Sequence, residues 1–139
     1  MGAKETCMKI ASIVWTIDPN GEKRFLIRHN RPFDGYDDEW TILFGNVDEG
    51  EKSKLAAIRE VGEEYGIFDI SSVNNLDYSL EYKDKDRATV IHFFSMRVES
   101  IDIPIQLNNE SIGYDWMTLE KAIASMRYDD ESIALTKVG

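Results

Sequence analysis

Basic side chains are in short supply in this chain. Sixteen Lys and Arg stand against 26 Asp and Glu, for a formal net charge of −10 at pH 7. That balance argues against DNA or any nucleic-acid backbone as a partner, because such binding is driven by basic surface. It does not exclude a small phosphorylated ligand held by metal ions and a few local cations. Cysteine is almost missing. Cys7 stands alone, so no intramolecular disulfide can form, and a structural thiol in a reducing cytoplasm is the expectation. No apolar run approaches the roughly 20 residues of a membrane span, and the N-terminus lacks the apolar core of a secretory signal. No membrane partner is expected, and the cytoplasm is the expected location. His29 and His92 are the only two histidines; they lack metal-ligand spacing and are read as structural. Repeats, low-complexity tracts and interdomain linkers are absent, so residues 1–139 are expected to form one domain, with disorder limited to the first few residues.

What the chain does have is concentrated between Gly45 and Ile67, in the run GNVDEGEKSKLAAIREVGEEYGI. Leu55, Ile58, Val61, Gly62 and Tyr65 recur at helical spacing, so that face is expected to pack on a core. Glu60, Glu63 and Glu64 then fall on the opposite face, at offsets that bring their Cβ atoms to roughly 5 to 6 Å of one another. Ser53 is the expected N-cap, and Gly66 is placed to end the helix in a left-handed conformation. A solvated acidic face is the ordinary meaning of such glutamates. If they are partly desolvated, two carboxylates about 4 Å apart repel by on the order of 4 kcal/mol at an effective dielectric of 20, and a divalent cation relieves that repulsion. Oxygen-only ligands favour a hard ion, Mg²⁺ first and Mn²⁺ second.

The same run contains Gly45, Glu51, Arg59-Glu60-Val61, Glu63-Glu64 and Gly66-Ile67 at the spacing of the Nudix box. The chain therefore resembles the Nudix hydrolases, which cleave nucleoside diphosphates linked to another moiety and usually use magnesium or manganese. The resemblance implies that Glu60 and Glu64 are the principal metal ligands, with the Gly45 carbonyl adding a third oxygen. Glu63 would ligate a further ion or activate water. Arg59 would be an orienter paired with Glu51 across loop and helix, although a surface ion pair is the ordinary alternative.

Elsewhere the pattern mixes strands and helices. Met8 to Ile17 and Arg24 to Arg28 read as a hairpin around the turn Asp18-Pro19-Asn20-Gly21. A polar loop from Asn30 to Glu39 leads to a short strand, Trp40 to Phe44, before the box helix. Leu76 to Tyr82 and Ala88 to Val98 read as a second hairpin. A short strand from Gly113 to Met117 precedes a helix from Leu119 to Met126 capped by Thr118. The order suits a mixed β-sheet between helices, an α/β (α+β) fold that the resemblance sharpens to a Nudix-type α/β/α sandwich.

The box does not specify the group beyond the diphosphate. Asn109-Glu110-Ser111 followed by Tyr114-Asp115-Trp116 is similar to the distal region of the asymmetrical dinucleoside tetraphosphate hydrolases. That likeness makes Glu110 a candidate for a further metal ligand or an alternative base, and places Tyr82 near the substrate; an exposed loop glutamate and ordinary sheet packing are the competing readings. Phe33 and Tyr36 are candidates for a base platform. Lys83, Lys85 and Arg87 are candidates for phosphate contact, with a polar hairpin turn as the alternative. One departure stands out. That group usually opens its box with Pro-Lys-Gly, whereas this chain has Leu43-Phe44-Gly45, and Asn46 replaces a common glycine. The expected reaction is metal-dependent hydrolysis of a small-molecule nucleotide, with diadenosine tetraphosphate cleaved to ATP and AMP as the first choice. The alternatives are another Nudix reaction, on a nucleoside triphosphate, a nucleotide sugar, ADP-ribose or an RNA 5′ end, or a catalytically silent nucleotide sensor.

Overall fold

The computed structural model describes residues 5–31, 39–83 and 85–139. The first four residues, where disorder is expected, lie outside that range, as do Phe33 and Tyr36. The elements run β1 (Glu5–Ile17), β2 (Lys23–Asn30), β3 (Trp40–Thr41), β4 (Leu43–Asn46), α1 (Ser53–Tyr65), β5 (Ser72–Lys83), β6 (Arg87–Arg97), β7 (Ser111–Met117), α2 (Leu119–Ser125) and α3 (Asp129–Thr136).

The seven strands form one sheet. It is mixed: β1 runs parallel to β6 from Glu5↔Arg87 to Trp15↔Arg97, and the other pairings are antiparallel. The first hairpin closes as its turn residues dictate. Gly21 takes a φ of 84°, which glycine adopts without steric cost, and Asp18 Oδ1 accepts the N–H groups of Asn20 and Glu22 at 2.9 Å each.

Side-chain alternation along each strand divides the core in two. Ile10, Val14, Leu26, Leu43, Phe94 and Met96 pack on the α1 side. Ala11, Ile13, Trp15, Phe25, Ile27, Ile91 and Phe93 pack on the side of α2 and α3. This is the expected sandwich, a mixed sheet between helical layers.

The sheet has one irregularity that matters for the site. β1 and β2 pair only near the hairpin, from Trp15↔Phe25 to Ile17↔Lys23. Beyond that they splay, with β3 pairing to β2 and β4 to β1. The single strand expected from Trp40 to Phe44 is therefore broken at Ile42, because its two halves serve different neighbours.

Other expectations change as well. Lys52, not Ser53, is the N-cap of α1, with extended backbone and no capping side chain. Leu55 is 55% exposed, and Ala56 and Ala57 take the core positions instead. Their small side chains let α1 lie close on the sheet, where the Ser12 hydroxyl donates to the Ala57 carbonyl at 3.1 Å. The helix is thereby rolled so that Glu64, expected on the outer face, is 9% exposed. Finally, β5 starts at Ser72 and absorbs a register shift between Asn75 and Ser79, and α3 follows α2 where no helix was expected. Gly66 ends α1 with a φ of 67°, donating its N–H to the Gly62 carbonyl, and Thr118 caps α2, as the sequence implies.

Candidate functional site

α1 carries three carboxylates past the end of β4. The closest approach is at Gly45: a Cβ there would lie 2.5 Å from Glu60 Cδ. Only glycine leaves room for that carboxylate against the β4 backbone. Glu64 lies one turn further on, beside Arg28 of β2, whose Nη1 donates to Glu64 Oε2 at 3.0 Å.

Arg59 fastens the preceding loop to the helix. Its Nε and Nη2 donate to the two Glu51 oxygens at 2.9 and 3.1 Å, and Nη2 also donates to the Asn46 carbonyl at 2.9 Å. Its Nη1 donates to Glu60 at 3.1 Å and to Glu63 Oε2 at 3.2 Å. Glu51 accepts the Asp48 N–H as well, at 3.0 Å. A bidentate guanidinium–carboxylate pair of this kind fixes geometry as well as charge. The Arg59–Glu51 pairing read from the sequence is present.

The environments of the carboxylates differ. The Arg59 guanidinium, helped by the Asp48 N–H, holds Glu51 below the ordinary carboxylate value. Burial pushes Glu60 up, against the pull of Arg59. Burial also pushes Glu64 up; Arg28 and the Asn108 amide pull it down, while the negative charges of Glu110 and Glu63 push it further up. Glu60 and Glu64 are thus short of positive charge although each has an arginine partner. The Glu110 backbone is held by the Asn108 side chain, whose Oδ1 accepts its N–H at 3.0 Å, and by Arg31, whose N–H donates to the Glu110 carbonyl at 3.1 Å.

Among the described residues, no three acidic, histidine or cysteine side chains converge as a ready metal cluster. Arg59 holds Glu60 and Glu63 in ion pairs, and Arg28 holds Glu64. The donor set still suits a hard divalent cation. It is made of oxygens alone; Glu64 is buried and Glu60 partly buried, and burial disfavours the charge of each.

On the other side of the sheet a cavity of about 440 Å³ opens between the strands and α3. Its lining includes Lys9, Arg28, Asn30, Thr41, Phe44, Tyr82, Tyr128, Asp130 and Glu131. Glu131 is 4% exposed and accepts the Thr41 hydroxyl at 2.5 Å. Burial pushes its carboxyl up, partly offset by Thr41 and the Ile42 N–H. Tyr82 and Tyr128 are each about half exposed and line the same cavity. Phe44, standing where a lysine would stand in tetraphosphate hydrolases, adds an apolar wall and meets Phe93 edge-on at 6.3 Å.

The structure thus brings Gly45, Glu51, Arg59, Glu60, Glu63 and Glu64 together, with Glu110 within electrostatic reach of Glu64. Tyr82 faces the separate cavity. Lys83 and Lys85 are not among its lining residues. Side-chain alternation explains the first: with Tyr82 turned to the cavity, Lys83 points to the opposite face, where it pairs with Glu81 at 3.5 Å. Lys85 and Arg87 are exposed beyond the end of β5. The cavity cations are Lys9 and Arg28 instead. Arg28, Glu131 and Tyr128 escaped sequence reasoning; for Arg28 the available signal was a charge following the apolar Phe25-Leu26-Ile27 run, at an inward-facing strand position.

The NUDIX domain family model matches residues 8–136. The chain belongs to the Nudix family. It is 26% identical over 98 residues to the mouse (Mus musculus) asymmetrical bis(5′-nucleosyl)-tetraphosphatase, covering 69% of this chain and 67% of that one. It is 33% identical over 96 residues to an RNA pyrophosphohydrolase of Sphingopyxis alaskensis, covering 58% and 61%. The structure of a C. elegans Ap4A hydrolase binary complex superposes with a TM-score of 0.75 at 25% identity, covering 94% of this chain and 93% of that one. As a Nudix hydrolase, the protein acts on phosphoric anhydrides, and Nudix enzymes generally require a divalent metal ion. No helix among the described residues is long and apolar enough to cross a membrane.

Proposed function

We propose that this Nudix pyrophosphohydrolase, acting in the cytoplasm as a single domain, hydrolyses a dinucleoside tetraphosphate, diadenosine tetraphosphate to ATP and AMP. The observation that carries this reading is the join between two compartments: a carboxylate site at Gly45, Glu60 and Glu64 is linked through Arg28 to a cavity of about 440 Å³ walled by two tyrosines. That volume falls in the range of small-molecule pockets and suits one nucleoside. Similarity to the mouse tetraphosphatase and to the downstream pattern around Glu110 supports the substrate.

Glu60 and Glu64, with the Gly45 carbonyl, would hold Mg²⁺ or Mn²⁺, and Glu63 and Glu110 would complete the oxygen set. Such ions, when bound, would polarise the phosphoryl group and lower the pKa of a bound water. The chain's own groups do the rest. Arg59, locked to Glu51, keeps the loop from Asn46 and the helix in register, so that Glu60 stays against Gly45. Glu63, the most exposed of the three box glutamates and paired with Arg59, would accept the proton of the attacking water, with Glu64 and Glu110 as coupled carboxylates. Tyr82 would stack on the base or bond to phosphate, and Tyr128 flanks it. Phe33 and Tyr36 remain candidates for a second base platform.

Similarity to an RNA pyrophosphohydrolase, together with Phe44 in place of a lysine, favours a second reading, hydrolysis at an RNA 5′ end. The net charge of −10 weighs against it. The deciding experiment is metal-dependent turnover across diadenosine polyphosphates, nucleoside triphosphates, ADP-ribose and 5′-triphosphorylated and capped RNA, with products resolved. Preferred release of ATP and AMP from diadenosine tetraphosphate, lost in Glu64→Gln, is the expected outcome. A better substrate elsewhere in the panel would mark Phe44 as a change of specificity, and saturable binding without turnover would identify a sensor.

A further inference from the structure

Arg28 belongs to both compartments: it lines the cavity and donates to Glu64. It is 7% exposed, its Nη1 is committed to Glu64, and its Nε is buried with no hydrogen-bond partner. Buried donors are almost always satisfied, so one left open beside a cavity invites an acceptor from a ligand. Two residues along the same face of β2, Asn30 also lines the cavity, and its Oδ1 is likewise buried and unpartnered. A donor and an acceptor, both uncommitted, therefore belong to two residues that line the same cavity, one of them bonded to the carboxylate site.

The charges lead to the same place. Besides Arg28 and Lys9, the ionisable groups lining the cavity are Glu39, Asp130, Glu131 and two tyrosines. A phosphate entering among three carboxylates needs a cation, and a guanidinium presents a planar fork of donors suited to phosphate oxygens. The charge of Arg28, however, is taken up by Glu64.

We propose that Arg28 is a phosphate-binding residue held in reserve by Glu64. Its guanidinium is the counter-ion of that carboxylate until a divalent cation takes the carboxylate over, and the released fork then binds the phosphate of the nucleotide seated in the cavity. The exchange rests on the reading of Glu64 as a metal ligand. Once Glu64 were engaged by a cation, Arg28 would lose its counter-ion and turn to the anionic substrate, so metal and nucleotide would assist one another through a single side chain.

The test uses Arg28→Met and Arg28→Lys in the full chain, with calorimetric binding of Mn²⁺ alone, and of AMP and adenosine with Mn²⁺ present. Arg28→Met removes the competitor for Glu64, so Mn²⁺ should bind more tightly, by about 10-fold, while AMP weakens by about 10- to 100-fold, the worth of a charge-assisted hydrogen bond. Adenosine, which lacks the phosphate, should bind as in the wild type. Arg28→Lys keeps the charge but not the fork: Mn²⁺ affinity should stay near the wild-type value and AMP should still weaken. The lysine variant carries the test alone if the methionine variant does not fold. A merely structural arginine would weaken Mn²⁺, AMP and adenosine together, and that result would overturn the proposal. Unchanged AMP affinity in both variants would overturn it as well. Failure of the underlying metal reading shows separately, as Mn²⁺ binding that Glu64→Gln leaves intact; that would remove the exchange and leave the phosphate contact standing.

Discussion

The two faces of this sheet are built in opposite ways. On the α1 face the chemistry is local: Gly45 at the end of β4, Glu51 in the loop that follows, and Arg59, Glu60, Glu63 and Glu64 on α1 fall within one short run, and Arg59 ties Glu51, Glu60 and Glu63 together. On the α3 face the cavity is assembled from β1, β2, β3, β4, β5, β6 and α3, and no two of those elements contribute a recognisable motif. The contrast follows from what each face must do. Holding a hard cation requires a few oxygens at short, fixed offsets, which a helix provides at three- and four-residue spacing. Enclosing a nucleoside requires walls on several sides, which only long-range packing provides.

The sharpest way to break this division is to strike the α1 face. Glu64→Gln and Glu63→Gln should each lower turnover by about 10² to 10⁴, the usual effect of removing a base or its metal support. The chain should stay folded, because both glutamines can still accept hydrogen bonds. Rate constants alongside a circular-dichroism melt would check both points. Near-normal turnover in both variants would mean that the carboxylate site is not where the reaction happens.

A strike on the α3 face should read differently. Tyr82→Ala removes a half-exposed ring at the cavity wall, and loss of one base-stacking partner is worth about 1 to 3 kcal/mol, or roughly 5- to 150-fold in affinity. That loss should fall on KM while kcat changes little, since the ring binds a part of the substrate that does not react. If Tyr82→Ala instead lowers kcat and leaves KM alone, the cavity is part of the chemistry and the two faces are not separable in function.

The same division explains how much could be read from the sequence. The box run gave the fold family, the helix and its carboxylates because all its information lies within 23 residues, Gly45 to Ile67. Even there the helix is turned from its expected orientation. Apolar size favoured Leu55 as core, yet close docking selected Ala56 and Ala57 and buried Glu64. α3 gave little warning, being eight residues long with no capping side chain and no clear apolar stripe; its start carries Asp129, Asp130 and Glu131, which suit a helix N-terminus. Arg28 and Glu131 could not be paired with their partners from sequence, because Arg28 lies 36 residues from Glu64 and Thr41 lies 90 from Glu131. Lys83 and Lys85 are the reverse case, residues that the structure does not bring to the cavity. They looked right for phosphate by type and neighbourhood, but strand alternation turned Tyr82, and not Lys83, toward the cavity.

The smallest expected effect is also the one that compares the faces most directly, because Glu51 and Glu131 are shifted in opposite directions. Arg59 holds Glu51 below its ordinary value of 4.5. Its folded state therefore binds fewer protons than the unfolded chain near that value, so its contribution to stability is present above pH 4.5 and is lost as the pH falls through the folded value. Burial raises Glu131 above 4.5. Its folded state binds more protons there, so its contribution is full below pH 4.5 and is lost as the pH rises through the folded value. Thermal melts across pH 3 to 8 (about that span) should accordingly show Glu51→Gln flattening the acid side of the profile and Glu131→Gln flattening the decline on its upper side, where the glutamine keeps the Thr41 contact without the buried charge. Two variants that flatten the same side would show that one electrostatic environment spans the sheet, with the two faces coupled through Arg28.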